Sequence, residues 1–359
     1  MSQALEANQS THDDRGADLA DRWADLRREQ PQLRIRDAAQ RLGVSEAELV
    51  AAGCGATATR LSGDWQRLLG ELQRLGPLMA LTRNAHAVHE KTGRYSALTG
   101  NGAIGTMLGE IDLRVFFSRW QHGFAVREES SHGVRDSLQF FDQSGTAVHK
   151  VYLTPQSDRD AYLALVAAYR AHDQGTLQAV SPPPPALAPL EDAQIDLAGL
   201  QAHWRALQDM HDFTDLLARF GCGRVQAFRL VEDDLAAAVS RDAPRLLLEH
   251  VAERGMDIML LVSSPGVVQI HTGPVRNLRA TGPWFNVLDE VFNLHLRETA
   301  IDSAWVVCKP TRDGVVSSLE LFGGDGGLIC QIFGRRKPGQ AEDPAWRAAL
   351  DVLAWEASA

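Results

Sequence analysis

His211 is the residue with the clearest potential for chemistry in this chain, and it lies in the stretch LQDMHDFTDLL. The side chains that share one helical face around it are Trp204, Leu207, His211, Thr214 and Leu217. This spacing predicts an amphipathic helix with His211 on its buried, apolar side. A histidine there is either a core residue whose ring hydrogen bonds a backbone carbonyl, or a neutral imidazole offered to a metal or haem iron.

Basic residues late in the chain are candidates for holding carboxylates. Lys309 follows a strand predicted over residues 304–308, and Arg336 follows the strand that carries Phe333. Arginine contacts a carboxylate through two parallel hydrogen bonds, so strand ends that face a cleft would suit an anionic ligand. The alternative is ordinary solvated surface charge.

Two further patterns are weaker evidence for a functional site. His86 and His89 share a face only if their segment is helical, whereas the residues around them predict strand and turn. A two-histidine metal site is therefore not favoured, and His89 alone is a candidate surface ligand. Residues 37–50 resemble a helix-turn-helix, but the second helix begins Ser45-Glu-Ala-Glu48, whose acidic residues suit the helix dipole rather than DNA. We expect a structural helical hairpin there.

The composition is that of a globular protein that binds neither nucleic acid nor membranes. Of 359 residues, 45% are hydrophobic and 23% are charged, and the formal net charge of −10 disfavours nucleic acid and anionic lipid. No apolar run is long enough for a transmembrane helix, and the polar N-terminus is not a signal peptide; we expect residues 1–19 to be a disordered tail. Four cysteines without paired spacing fit a cytoplasmic location and no zinc site. Nucleotide-binding and serine-nucleophile motifs are absent.

The chain contains an internal duplication on either side of a proline-rich linker at residues 181–190. Residues 137–145 (SLQFFDQSG) match residues 318–326 (SLELFGGDG) without gaps, and each copy predicts a β-hairpin. We therefore predict an α+β fold of two structurally duplicated halves, at residues 20–180 and 191–355. Each half is expected to be a large antiparallel β-sheet with flanking helices.

The two copies differ at polar positions. Alignment of the helical segments places His211 opposite Leu33, and alignment of the hairpins places Arg114 opposite His295. Such divergence is expected if one asymmetric ligand site is built between the copies, because ligand sites favour domain interfaces. This adds weight to the ligand interpretation of His211 and leaves the core histidine open.

The sequence resembles the HemS/HmuS family of cytoplasmic haem-transport and haem-degrading proteins of Gram-negative bacteria. The matching stretches are Arg83–Lys91, Ile111–Arg114, Gln208–Phe213, Gln226–Val231, Lys309–Thr311 and Ser317–Phe322. The likeness covers about residues 20–355 and keeps the duplicated order. It implies that the ligand is haem (iron protoporphyrin IX), bound in a cleft of the duplicated fold.

The resemblance also implies residue roles. His211 would ligate the iron, and Arg114 would approach the opposite face of the haem, where its permanent charge would stabilise negative charge developing on oxygen. The candidates for contacts with the haem propionates are Lys309, Arg336 and Arg224.

The chain departs from the family at two positions. Tyrosine is common in the family where this chain has Phe333 and His86, so hydrogen bonds from those hydroxyl groups are lost. His86, together with His89, is a candidate for a second haem surface.

Two functions follow from the resemblance, and the sequence separates them poorly. The first is an enzyme that degrades haem to release its iron, with Arg114 as the catalytic residue. The second is a non-catalytic chaperone that carries haem from an inner-membrane importer to a separate haem oxygenase. Either protein would be a monomer or a homodimer.

Overall fold

The computed structural model describes residues 2–100, 102–130, 133–183, 185, 188–336 and 339–356. The polypeptide divides into two units, the first comprising Met1–Arg83, Glu90–Pro184 and Ser264–Val268. The second comprises Asn84–His89, Pro185–Ser263 and Gln269–Ala359. The main division falls inside the predicted linker at 181–190, of which Pro184, Ala186 and Leu187 lie outside the described residues.

The N-terminal half of the chain contains five helices and nine strands among its described residues. The helices are α1 (Ser2–Glu29), α2 (Ile35–Leu42), α3 (Glu46–Ala51), α4 (Trp65–Glu71) and α5 (Arg159–Ala168). The strands are β1 (Ala58–Leu61), β2 (Pro77–Arg83), β3 (Ala87–Arg94), β4 (Thr99–Gly100), β5 (Ile104–Met107), β6 (Asp112–Phe116), β7 (His122–Ser130), β8 (Gly133–Phe141) and β9 (Ala147–Leu153). Short 3₁₀ turns occupy Leu72–Leu75 and Phe117–Arg119.

The described part of the C-terminal half has the same numbers of α-helices and strands. Its helices are α6 (Leu197–Arg205), α7 (Phe213–Arg219), α8 (Arg224–Leu230), α9 (Ala243–Arg254) and α10 (Pro344–Glu356). Its strands are β10 (Ala236–Val239), β11 (Ile258–Ser263), β12 (Val267–Gly273), β13 (Leu278–Thr281), β14 (Trp284–Leu288), β15 (Phe292–Arg297), β16 (Ser303–Thr311), β17 (Gly314–Phe322) and β18 (Leu328–Gly334). Its 3₁₀ turns are Asp192–Gln194, Met210–Asp212 and Glu298–Ala300.

The strands form two nine-stranded antiparallel sheets, and the duplication is visible in their register. One sheet contains the order β1-β7-β8-β9-β2, and the other contains β10-β16-β17-β18-β11. In β8–β9, Ser137 lies opposite Tyr152, and in β17–β18, Ser318 lies opposite Phe333, so both strands keep the offset seen between the matching sequence segments. A β-bulge also recurs at the corresponding point of each hairpin. The predicted α+β fold with duplicated halves is therefore confirmed.

Each unit buries its own apolar core between helices and sheet. β2 and β11 alternate buried and partly exposed side chains, as expected for strands with one face packed against a core. In the first unit, Leu68 and Leu69 of α4 share a buried cluster with Phe140 of β8. In the second, Leu248 of α9 shares a cluster with Leu260 of β11. Each fully buried leucine stabilises the fold by about 1.5–3 kcal/mol.

The start of the chain differs from its prediction. Residues 1–19 were expected to be a disordered tail, whereas α1 begins at Ser2. The physical reason lies at its C-terminal end, where Leu19, Trp23 and Leu26 repeat at helical spacing and pack against the α2–α3 hairpin. No helix in the described part of the chain has the length and apolar character needed to span a bilayer.

The expected helical hairpin at residues 37–50 is confirmed. Gly43 ends α2 with a positive φ of 71°, a conformation that glycine adopts without steric cost. Ser45 and Glu48 then form a capping box that starts α3.

Candidate ligand-binding site

His211 does not lie on a continuous helix. α6 ends at Arg205, the 3₁₀ turn Met210–Asp212 follows, and α7 begins at Phe213. The side chain of His211 is 82% exposed, so the prediction that it is buried on an apolar stripe is wrong. The helix is interrupted because the side chain of Asp209 caps the 3₁₀ turn and starts a new helical segment.

The imidazole of His211 is held by Asp209. The Asp209 Oδ1 atom accepts the backbone N–H of His211 at 2.9 Å and lies 2.6 Å from its Nδ1 atom. The backbone N–H of His211 and, to a lesser extent, its ring N–H donate hydrogen bonds that lower the pKa of the Asp209 carboxyl. The group is therefore ionised at neutral pH. A carboxylate only accepts hydrogen bonds, so Nδ1 carries a proton, and the neutral ring held in this way has its lone pair on Nε2.

The turn that carries His211 rests on a rigid aromatic base. Phe213 is buried and packs edge-on against Trp204, with 4.5 Å between ring centroids. The Trp204 indole N–H donates to the backbone carbonyl of Cys308 on β16 at 2.9 Å. Trp204 thereby anchors the segment to the sheet, and Phe213 packs on Trp204.

Beneath Phe213 lies a buried cluster of two cations and one carboxylate. Lys309 Nζ donates to Glu320 at 2.6 Å, and Arg224 contacts both oxygens of the same carboxylate at 2.8 and 3.0 Å. Burial alone would raise the pKa of Glu320, but the charges of Lys309 and Arg224 overcome this and lower it. Two positive charges and one negative charge leave the cluster with a net charge of +1.

The predicted location of Lys309 is wrong. It was expected at the end of a strand that faces a cleft, but it lies inside β16 with a side chain only 2% exposed. The ammonium faces inward because its charge is compensated by Glu320 and by the face of the Phe213 ring, 4.8 Å away. Burial lowers the pKa of Lys309 even though Glu320 raises it.

Arg336 follows β18, as predicted, and lies beside the His211 turn. Its Nη1 atom is 3.6 Å from the sulfur of Met210, the residue before His211. Its Nε atom is buried and has no hydrogen-bond partner among the described residues. A buried donor without a partner is costly, and an anionic ligand would satisfy it.

Arg114 belongs to the first unit, on β6. Its side chain is 32% exposed, and its guanidinium forms an ion pair with Asp112 and also donates to the carbonyl of Leu113 at 3.2 Å. Burial raises the pKa of Asp112, although Arg114 opposes the shift.

His89 is not a surface ligand, which corrects a second prediction. It lies on β3, is fully buried and packs against the ring of Phe292 at 4.9 Å. The strand assignment for this segment is confirmed, and His86 lies just before it, partly buried. Within the described ranges, no group of three or more histidine, cysteine, aspartate or glutamate residues could hold a metal ion.

The first unit holds a counterpart of the buried cluster with its charges exchanged. Glu46, the first residue of α3, forms ion pairs with Lys150 and Arg83. In the second unit the first residue of α8 is the cation Arg224, and the carboxylate comes from the strand. The two copies therefore keep a buried ion cluster between helix and sheet but have reversed which element supplies the anion.

The second unit thus brings together His211, Arg336, Arg224 and Lys309 around one short turn. Sequence reasoning missed Asp209 and Glu320, which fix the orientation of these groups. A signal for Asp209 was present, because aspartate two or three residues before a backbone N–H is typical of a helix cap. An exposed imidazole on a turn whose neighbouring residues contact cations suits a ligand that combines a metal with carboxylates.

Comparisons with known proteins identify a family model and relatives that match most of the chain. A model of the family described as haemin-degrading HemS.ChuX domain matches residues 43–169 and again residues 221–353. The hemin transport protein HmuS of Yersinia pestis is 42% identical over 342 residues, which cover 94% of this chain and 97% of that protein.

Solved structures give the same result. The crystal structure of holo-PhuS, a heme-binding protein from Pseudomonas aeruginosa, is 47% identical with a TM-score of 0.92, covering 94% of this chain and 99% of that one. The crystal structure of ChuS, an E. coli heme oxygenase, is 37% identical with a TM-score of 0.84, covering 93% and 99%.

Proposed function

This chain belongs to the family of the haemin-degrading HemS.ChuX domain, of which it carries two copies, and from that premise we propose that it binds haem for iron acquisition. In this proposal Nε2 of His211 ligates the haem iron. The haem is cargo or substrate, and it supplies the iron and two propionate carboxylates.

The observation that carries the proposal is the hydrogen bond between Asp209 and His211. It fixes the ring in the tautomer whose Nε2 lone pair is available, and the 82% exposure of the side chain leaves that atom accessible. A core histidine would instead be enclosed and satisfied by a carbonyl.

Three cations near this turn support the binding of the propionates. Arg336 has the strongest support, because its buried Nε atom lacks a partner among the described residues. Arg224 and Lys309 contribute through the net positive charge of their cluster with Glu320. Each well-desolvated charge-assisted hydrogen bond contributes about 1.5–3 kcal/mol.

We propose that the biological role of the protein is to release iron by degrading haem, and that Arg114 acts on the face of the haem where oxygen would bind. Its guanidinium is tethered by Asp112, which limits the conformations that must be frozen when it stabilises developing negative charge. The second candidate is a chaperone that receives haem from an inner-membrane importer and passes it to a separate oxygenase. The exposure of His211 on a short turn favours this second function, since a surface ligand eases transfer.

The iron ligand is tested by comparing His211→Ala with His203→Ala. His203 is an exposed histidine on α6 of the same unit and serves as a matched control. We expect His211→Ala to shift the Soret band and the coordination of the iron, with added imidazole restoring the original spectrum, and His203→Ala to leave both unchanged. Unaltered coordination in His211→Ala would remove the basis for the proposal.

The two functions are separated by giving the haem-loaded protein an electron donor, air and catalase. Catalase removes free peroxide, which destroys many bound haems without enzymatic help. Degradation predicts loss of the Soret band, chelatable iron and a defined tetrapyrrole, with slower loss in Arg114→Ala at similar haem affinity. Survival of the haem, followed by transfer to an added oxygenase, would establish the chaperone.

A further inference from the structure

The carboxylate of Asp209 is hydrogen bonded directly to the proposed iron ligand. Its Oδ1 atom accepts both the backbone N–H and the Nδ1–H of His211, at 2.9 and 2.6 Å. Because both bonds end on one oxygen of a single side chain, the ring is fixed relative to its own backbone. The pair is separate from the buried cluster around Glu320.

Besides orienting the ring, this contact changes how strongly the imidazole donates electrons. An anionic acceptor at Nδ1 draws the proton towards itself and makes the imidazole a stronger electron donor at Nε2. A stronger axial donor stabilises ferric iron relative to ferrous iron, and hydrogen bonding to the axial ligand is one of the means by which proteins set haem potentials. The effect increases when a ligand covers the pair, because water then competes less for the hydrogen bond.

We propose that Asp209 is a positioning residue that strengthens His211 as a donor and holds bound haem in the ferric state. The inference rests on the proposed role of His211 and adds a redox function to it. Haem held in this way is protected from adventitious reduction until a sufficiently strong electron donor arrives. The same device would serve a carrier during transport and an enzyme before its reaction begins.

Asp212 offers a matched control within the same turn. It is exposed, and its carboxylate is next to His211 in sequence, but its side chain does not cap α7. Asp212→Asn therefore removes one negative charge near the iron ligand without removing the hydrogen bond to Nδ1. Asp209→Asn makes the acceptor neutral, while its amide oxygen can still accept both the backbone N–H and the Nδ1–H of His211, so the turn is retained.

The experiment uses full-length protein loaded with haem and measures the ferrous iron–histidine stretching frequency by resonance Raman and the midpoint potential by spectroelectrochemistry. In Asp209→Asn we expect the stretching frequency to fall, the potential to rise and haem affinity to weaken roughly 10-fold. In Asp212→Asn we expect the stretching frequency to stay at the wild-type value and the potential to rise by less.

The outcomes separate this inference from the function on which it rests. If Asp209→Asn keeps the wild-type stretching frequency while His211→Ala loses the axial ligand, the role of Asp209 is refuted and haem ligation by His211 stands. If His211→Ala also keeps its coordination, the proposed ligand is wrong. Equal changes in Asp209→Asn and Asp212→Asn would show that only the local charge matters, which also refutes the inference.

Discussion

Replacement of Glu46 by glutamine tests whether the buried ion cluster of the first unit stabilises the fold through its charge. Glu46 is almost fully buried and forms ion pairs with Lys150 and Arg83. Burial alone would raise its pKa, but the two cations outweigh burial and lower the pKa from 4.5 to about 2. Glutamine keeps the shape and an acceptor oxygen but leaves two buried cations without a counter-charge.

The expected magnitude follows from the shift. A difference of about 2.5 pKa units corresponds to about 3 kcal/mol of unfolding free energy. The folded-state pKa is depressed, so this contribution is fully present above about pH 4.5 and is lost as pH falls towards about 2. Roughly half of it should be gone by about pH 3.5. The variant should therefore be less stable than wild type near neutral pH, and the gap should narrow in acid.

The assay is urea unfolding read by hydrogen-exchange mass spectrometry on peptides from β8 and β9, which report the first unit separately. The control is Asp18→Asn in α1, which breaks an exposed ion pair with Arg22 at 3.6 Å and should change stability by less than about 1 kcal/mol. A gap between wild type and Glu46→Gln that does not change between about pH 7 and pH 3.5 would refute the electrostatic explanation.

Three further outcomes are expected. His149 is buried between Tyr95 and Thr82, and burial lowers the pKa of its imidazole to about 3. In acid the unfolded chain therefore protonates this ring before the folded chain does, and wild type loses stability from about pH 6.5 downwards. Unfolding curves of His149→Gln should lack this part of the acid-induced loss of stability. Arg336→Ala should weaken the binding of haem about 10-fold or more and leave the binding of haem dimethyl ester unchanged. The control Arg335→Ala should change the affinity for neither ligand. Equal losses of affinity for haem and its ester would mean that Arg336 acts through structure. Glu320→Leu, which leaves both Lys309 and Arg224 without a counter-charge, should destabilise the second unit by about 3 kcal/mol or more in urea unfolding, whereas Lys309→Met, which keeps the Arg224–Glu320 pair, should cost less; equal losses would show that packing rather than charge is responsible.

The sequence by itself determined the duplicated fold. The gapless match between residues 137–145 and 318–326 predicted two equivalent hairpins, and the structure has them with the same register and the same bulge. Strand alternation, turn glycines and capping residues act over a few positions, so their signal is contained in the local sequence. The α2–α3 hairpin was predictable for the same reason.

The environments of the site residues were decided by tertiary structure. The spacing around His211 indicated a buried helical face, but Asp209 interrupts the helix and leaves the ring exposed. Lys309 was expected at a strand end that faces a cleft and is buried, because its ammonium pairs with Glu320, eleven residues further along the chain on β17.

Burial and charge compensation depend on groups that lie far apart in sequence, and no local pattern contains them. Arg224 and Glu320 are brought together across 96 positions only when α8 packs on the sheet. The sequence named the residue types that can bind iron and carboxylates, and the folded chain determined which of them are exposed, which are paired and which retain an unsatisfied donor.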